Sequence, residues 1–145
     1  MVVRIKKLSE KAVLPQRGTA GAAGADLRVL LDEPCTILPG KTVMLPTGLS
    51  MEIPEGYVGL IFARSSLGTK RGLAPANKVG VIDSDYRGEV KVALHNHSDQ
   101  PRTVAAGERV AQLVIMPYVA AVYVETDQLS ETERGEGGYG STGSM

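Results

Sequence analysis

An all-β fold, closed as a sandwich, jelly roll or barrel, is the architecture this sequence predicts. Three observations carry it. Polar and apolar residues alternate over short runs, as in Glu89-Val-Lys-Val-Ala-Leu-His95, which sends one set of side chains inward and the other outward on a strand. The runs are broken by turn-forming segments at Pro39-Gly40, Pro54-Glu-Gly56, Asp85-Tyr-Arg-Gly88 and Ala106-Gly107. Only Ser65–Lys70 reads as a helix, and a short one. Many short strands at this spacing belong to all-β architectures.

The elements follow from these breaks in order. Val2–Lys6 is the first expected strand, followed by Asp26–Leu30 and Cys35–Leu38. Beyond the Pro39-Gly40 turn come Thr42–Leu45 and Gly48–Ile53, read as two strands. Pro54-Glu-Gly56 turns the chain into Tyr57–Phe62, and the short helix follows. An apolar run at Gly80-Val-Ile82 enters a hairpin whose return arm is Glu89–Asn96. Arg109–Met116 follows the Ala106-Gly107 turn, and Ala120–Glu125 is the last expected strand.

Two segments stand apart. Residues 18–25 consist almost entirely of Gly, Ala and Thr, a composition that lets them pack closely against another backbone. Residues 131–145 are polar and Gly-rich without apolar periodicity, the composition of a mobile tail. The expected division is therefore a β domain over residues 1–130 and a flexible tail over 131–145.

The bulk numbers exclude several classes. At 145 residues and 43% hydrophobic content, one domain with its own core is expected. Lys plus Arg and Asp plus Glu both number 16, so the chain lacks the basic excess that coating nucleic acid or an anionic membrane requires. Cys35 is the single cysteine, so no intrachain disulfide can form. With His95 and His97 the only histidines, no Cys/His metal cluster is expected. The start, Met1-Val-Val-Arg-Ile-Lys-Lys-Leu8, turns charged before an apolar run forms, and no stretch approaches the roughly 20 apolar residues of a membrane span. A cytoplasmic protein is the expectation.

Four segments carry candidate chemistry. In Gly80-Val-Ile-Asp-Ser-Asp-Tyr-Arg-Gly88, an apolar strand meets two carboxylates, an aromatic and a tight turn. An ionised carboxylate such as Asp83 can orient and deprotonate a water; the bland alternative is Asp serving turn geometry. In Arg64-Ser-Ser-Leu-Gly68, a guanidinium and two hydroxyls suit phosphate oxygens, although Ser also caps helices. Gly107-Glu-Arg-Val-Ala-Gln-Leu113 places a polar Gln112 on a strand, which alone reads as a plain edge strand. In Arg134-Gly-Glu-Gly-Gly-Tyr-Gly-Ser-Thr-Gly143, five of ten residues are Gly. Such a strip can wrap phosphates with backbone N–H groups and stack its aromatic on a base, or be merely a tail.

Taken together and in this order, these segments resemble the five signature motifs of the dUTPase family. The first is Ala23-Gly-Ala-Asp-Leu27, the second Arg64-Ser65-Ser66, the third Gly80–Gly88 preceded by Asn77, the fourth Gly107–Leu113 and the fifth Arg134–Gly143. The resemblance runs from about Gly18 to Gly143. It implies a jelly-roll-like β-clip subunit and a homotrimer in which all three chains contribute to each site. It implies hydrolysis of dUTP to dUMP and pyrophosphate, which lowers dUTP and supplies dUMP for thymidylate synthesis.

Residue by residue, Asp83 matches the aspartate that activates the attacking water at the α-phosphorus. Arg64, Ser65, Ser66 and Gln112 match residues that hold the phosphates, with Asp26 in support. Asn77 and the hairpin from Gly80, Val81 and Ile82 to Lys91 match the uracil pocket, and Tyr86 the tyrosine on the deoxyribose. Arg134, Tyr139, Gly140, Ser141 and Thr142 match the tail that closes over the site and is expected to order on the triphosphate. The implied cofactor is Mg²⁺, held by the triphosphate and waters rather than by protein ligands.

The pocket logic is physical. Cytosine offers a donor where uracil offers an acceptor, leaving buried groups unpaired; a tight wall at C5 excludes thymine; and Tyr86 against the sugar excludes a 2′-hydroxyl. Three positions depart from the pattern: Ala25 stands where an aromatic is usual, Ala63 where Pro is usual, and Tyr139 where Phe is usual. A dCTP deaminase shares the Arg-Ser-Ser segment but needs a glutamate at the cytosine ring. An inactive nucleotide-binding trimeric paralogue is expected to have lost Asp83 or the tail, and both are present.

Overall fold

The structure is a computed structural model that describes residues 1–138. Its strands are β1 (Arg4–Lys7), β2 (Gln16–Arg17), β3 (Ala25–Arg28), β4 (Cys35–Ile37), β5 (Thr42–Glu52), β6 (Tyr57–Ala63), β7 (Leu73–Pro75), β8 (Gly80–Ile82), β9 (Glu89–Asn96), β10 (Arg102–Val104) and β11 (Arg109–Pro117), with helix α1 (Ser65–Arg71) between β6 and β7. One sheet runs β1-β5-β9-β7 and a second β2-β3-β11-β6-β8, while β10 and β4 form a separate pair. Among the described residues, the strand pairs are all antiparallel. This is the all-β, jelly-roll-like β-clip architecture that the sequence predicts.

The alternation read from the sequence is realised along β9. Val90, Val92 and Leu94 are buried, while Glu89, Lys91 and His95 stand on the other face. The inward set meets Leu27, Val110 and Leu113 of the second sheet and Ile37 and Val104 of the β4–β10 pair in one hydrophobic cluster. Asn96 is fully buried within this core. It escapes the cost of an unpaired polar group by donating to the carbonyls of Ile37 and Gln100 at 2.9 and 2.8 Å and accepting from the Ser98 N–H at 2.9 Å.

The structure departs from the expected strands in three ways, and from the expected packing of residues 18–25 in one. Thr42–Leu45 and Gly48–Ile53 are one continuous strand, β5, whose register against β9 shifts between Pro46 and Ser50. Pro46 brings no N–H to the ladder, and Gly48 takes a left-handed φ of 68° that glycine adopts without strain. The chain therefore bulges rather than breaks. Ala120–Glu125 is not a strand, and Val122, Tyr123 and Val124 are exposed. A run of β-branched and aromatic residues is not sufficient where no edge lies alongside to pair the N–H and C=O groups. Strands β2, β7 and β10 are only two or three residues long, too short for a period of two to register. Close packing in the Gly18–Ala25 segment holds at Gly24, where a Cβ would come within 2.5 Å of Gln112 Oε1. The neighbour there is a side chain and not the backbone expected, and Gly18 and Gly21 face open space.

Candidate active site

The turn between β8 and β9 builds a cavity of about 400 Å³ lined by Asn77, Gly80 to Asp83, Tyr86 and Lys91. Strand β8 pairs with β6, and β9 with β5 and β7, so the two strands are not the paired hairpin that the sequence predicts but the edges of two different sheets joined by a turn. Strand β8 is held against β6 through the pairs Gly59↔Ile82, Leu60↔Val81 and Ile61↔Gly80. Gly80 fits closely here, since a Cβ would sit 3.1 Å from Ile61 Cβ, a contact that Ile61 would have to give way to by a few tenths of an ångström. Ile82 points into the core while Val81 is exposed. Asn77 stands on a tight turn in which the Val79 N–H donates to the Asn77 carbonyl at 2.7 Å, and Lys78 takes a left-handed φ of 64°.

Asp83 lies where β8 ends, exposed at the cavity rim. Its carbonyl accepts the Tyr86 N–H at 3.2 Å, which closes the turn. The Arg87 guanidinium donates to the carbonyls of Ser84 and Tyr86 at 2.6 and 3.0 Å and stiffens it. The Tyr86 ring lies over Gly88, where no side chain would fit, and its hydroxyl donates to the Glu89 carbonyl at 3.0 Å. The ring is thus fixed at both ends. Asp83 and Val81 also border a wider depression of about 940 Å³ that reaches Tyr57 and Tyr118.

A second cluster forms where β3, β11 and the start of α1 meet. Arg64 Nε donates to Asp26 Oδ1 at 2.8 Å, and Arg109 Nη1 donates to Asp26 Oδ2 at 3.0 Å. Gln112 Nε2 donates to the Ala63 carbonyl at 2.9 Å, tying β11 to the residue before Arg64. Arg64 is itself the residue that starts α1, and no side chain caps the helix. Ser65 and Ser66 lie exposed in the first turn, so the capping role open to them in the sequence is not the one they take. At the other end, Arg71 donates to the Glu108 carboxylate and the Thr103 carbonyl, which anchors the helix to the turn before β11.

Arg134 forms a third, separate feature. It sits exposed on a turn, its Nε donating to the Gly137 carbonyl at 2.8 Å. Tyr139, Gly140, Ser141 and Thr142 lie outside the described residues. None of Asp26, Arg64, Ser65, Ser66, Gln112 or Arg134 lines the cavity at the β8–β9 turn. One chain thus brings Asp83, Tyr86, Asn77 and Lys91 together, and Arg64, Gln112 and Asp26 together, but holds the two groups apart.

Glu89 and Val90, within the Gly80–Lys91 stretch expected to form the pocket, also line the cavity, as do Met44 and Ile61. Arg109 shares Asp26 with Arg64, and sequence reasoning gave Met44, Ile61 and Arg109 no role. Arg109 was within reach, because it lies three residues before Gln112 in the same segment. Met44 gave no local signal, since only the β5–β9 pairing brings it to the cavity. Among the described residues, no group of three or more His, Cys, Asp or Glu could hold a metal ion, and no helix is long and apolar enough to cross a membrane.

The family model for dUTPase matches residues 10–143. The chain belongs to the dUTPase family. Among similar dUTPase-family proteins, the deoxyuridine 5'-triphosphate nucleotidohydrolase of Desulfitobacterium hafniense is 54% identical over 131 residues, covering 90% of this chain and 87% of the relative. That of an Anaeromyxobacter species is 46% identical over 146 residues, covering 99% and 98%. Among solved structures, the dUTPase of Staphylococcus bacteriophage 80alpha with dUPNHPP superposes with a TM-score of 0.89 at 29% identity, over 98% of each chain. A mutant dUTPase from phage phi11 of S. aureus, whose structure shows the coordination of a structural Mg(II) ion, superposes with a TM-score of 0.77 at 26% identity, over 88% of this chain and 98% of that one.

Proposed function

We propose that this chain hydrolyses dUTP to dUMP and pyrophosphate. The observation that carries the reading is the cavity at the β8–β9 turn with Asp83 at its rim and Tyr86 fixed over Gly88, in a chain about half identical to proteins named for this reaction. Backbone groups of β8 and the Asn77 side chain offer donors and acceptors to a uracil edge. Tyr86 closes the sugar side against a 2′-hydroxyl. A water beside Asp83 gives up its proton to the carboxylate as its oxygen attacks the α-phosphorus. The bond from the α-phosphorus to the bridging oxygen breaks, and pyrophosphate leaves.

The phosphates need positive charge and donors. Arg64 is aimed by Asp26, and Ser65, Ser66 and Gln112 lie beside it. Such preorganised donors act where charge develops in the transition state. Arg134 and the residues up to Thr142 supply the closing strip. Mg²⁺ is the expected cofactor. The donor set suits an ion carried in on the phosphates, because Mg²⁺ keeps waters and binds through substrate phosphates; when bound, it neutralises phosphate charge.

A homotrimer completes the reading. Its support is the separation of the Asp83 group from the Arg64 group within one chain, so that a complete site takes parts from neighbouring copies. The run from Tyr118 to Leu129 also exposes Tyr118, Val119, Val122, Tyr123, Val124 and Leu129, an apolar surface of the kind that marks association.

The test is pyrophosphate release from dUTP with Mg²⁺, run beside dCTP, dTTP and UTP. Release from dUTP alone is expected. A folded protein that releases none from dUTP overturns the reading.

A further inference from the structure

The bulge in β5 lies directly against the start of β9. Pro46 pairs with Lys91 and Ser50 with Glu89, so the stretch between them on β5 is longer than the stretch it opposes. A bulge interrupts the ladder and leaves backbone groups to be satisfied otherwise. Here the missing rungs are replaced by other bonds. Thr47 Oγ1 donates to the Val90 carbonyl at 2.6 Å, Ser50 Oγ donates to the Arg87 carbonyl, and the Gly48 N–H donates to Glu89 Oε1 at 2.9 Å.

Glu89 is where this clamp reaches the cavity. Its side chain is only 22% exposed, and its second carboxylate oxygen lies 3.5 Å from Lys91 Nζ. Its backbone carbonyl accepts the Tyr86 hydroxyl. One residue therefore links the rigid bulge to two walls of the pocket.

We infer that Glu89 is a positioning residue for the nucleoside pocket, fixing Tyr86 through its carbonyl and Lys91 through its carboxylate while Gly48 holds it in place. The inference rests on the proposed nucleotide reading of this cavity. Without the Gly48 anchor, the carbonyl under the Tyr86 hydroxyl is held only by the Ser50 pairing and the Thr47 and Ser50 hydroxyl bonds on either side of it. Without the charge, Lys91 loses its partner. Sugar discrimination and nucleotide affinity then fall together, while Asp83, held at the end of β8 by the β6 pairing, keeps its place.

The test is calorimetric titration of wild type, Glu89→Gln, Glu89→Ala and Lys91→Met with dUMP and with UMP, a readout that needs no turnover. Glu89→Gln keeps an acceptor for the Gly48 N–H and removes only the charge, so dUMP affinity is expected to fall about threefold; Glu89→Ala removes both links, and about tenfold is expected, with the preference for dUMP over UMP reduced. In the Lys91→Met background, Glu89→Gln should add little, a coupling that general destabilisation does not produce. Wild-type affinity and preference in Glu89→Gln and Glu89→Ala overturn the inference. If Glu89→Ala does not fold, unchanged dUMP binding by Glu89→Gln does so alone. A wild-type protein that neither binds dUMP nor hydrolyses dUTP overturns the functional reading instead.

Discussion

Asp26 holds Arg64 side-on, its Oδ1 taking the Nε hydrogen at 2.8 Å while Oδ2 takes Arg109 at 3.0 Å. One carboxylate thus separates two guanidiniums and sets the direction of each. A point charge would not do this, because the planar fork of Arg is aimed by whichever edge is bonded. Asp26→Asn removes the counter-charge and leaves Arg64 beside Arg109. The expected result is a rise of about tenfold in KM for dUTP, the loss of roughly one charged hydrogen bond, with a lower melting temperature. Steady-state kinetics and a thermal melt check both, and an unchanged KM removes Asp26 from any part in aiming Arg64.

Asp83→Asn keeps the shape and the turn, since the Asp83 bond to Tyr86 uses the backbone carbonyl. It removes the carboxylate proposed as the base. General-base catalysis contributes about 10²–10⁴-fold, so kcat should fall by at least about a hundredfold while affinity for a non-hydrolysable dUTP analogue stays near that of the parent. A near-normal kcat assigns the proton transfer elsewhere.

Tyr86 is fixed by its hydroxyl bond to the Glu89 carbonyl and by the bare Cα of Gly88. Replacement by Ala opens the sugar side of the cavity. The ratio of kcat/KM for dUTP to that for UTP is expected to drop about tenfold or more, at the scale of a pocket that gains a small group's worth of space. The same ratio in Tyr86→Ala and the parent would show that the ring does not read the 2′ position.

Most of this site was legible in the sequence, and what was not has a physical reason. Asp83, Tyr86 and Gly80 lie within one short segment, so local turn chemistry brings them together. Asp26 and Arg64 needed the β3–β11–β6 pairing to meet, and only the family resemblance put them in one list. Glu89 was read as the alternating start of a strand; its tie to Gly48 depends on a bulge 41 residues away. The two strands expected on either side of Pro46 proved to be one, because a proline within a strand can be taken up by a bulge. Ala120–Glu125 has the pattern of a strand and no partner among the described residues, and pattern alone cannot supply the neighbour.

His97 lies exposed and gives stability a small, solvent-screened dependence on pH. Loss of hydration at the ring, and then the charges of Lys78 and His95, hold its imidazole below the usual value of 6.5. The unfolded chain therefore binds this proton more readily than the folded one. The sign follows: stability from this site is full above about pH 6.5 and falls as pH drops through that value. His97→Gln should flatten the decline of melting temperature between about pH 7.5 and 5.5. An identical slope in the variant assigns the decline to other groups.

Among the described residues, Arg134 reaches none beyond its own turn, where it donates to Gly137, and it lies apart from both the Asp83 and the Arg64 groups. The proposed use for its charge is to meet the phosphates of bound dUTP. Truncation before Arg134 removes that guanidinium together with Tyr139, Ser141 and Thr142, while every strand described above and the exposed run from Tyr118 to Leu129 remain. Two or three charge-assisted hydrogen bonds at about 1.5 kcal/mol or more each correspond to a loss of roughly a hundredfold or more in kcat/KM. The oligomeric state by light scattering should not change, because the apolar run that would serve assembly is retained. A truncated enzyme with parental kcat/KM means the segment takes no part in the reaction. A truncated chain that dissociates means its part is in assembly, and its loss of activity then says nothing about closure over the phosphates.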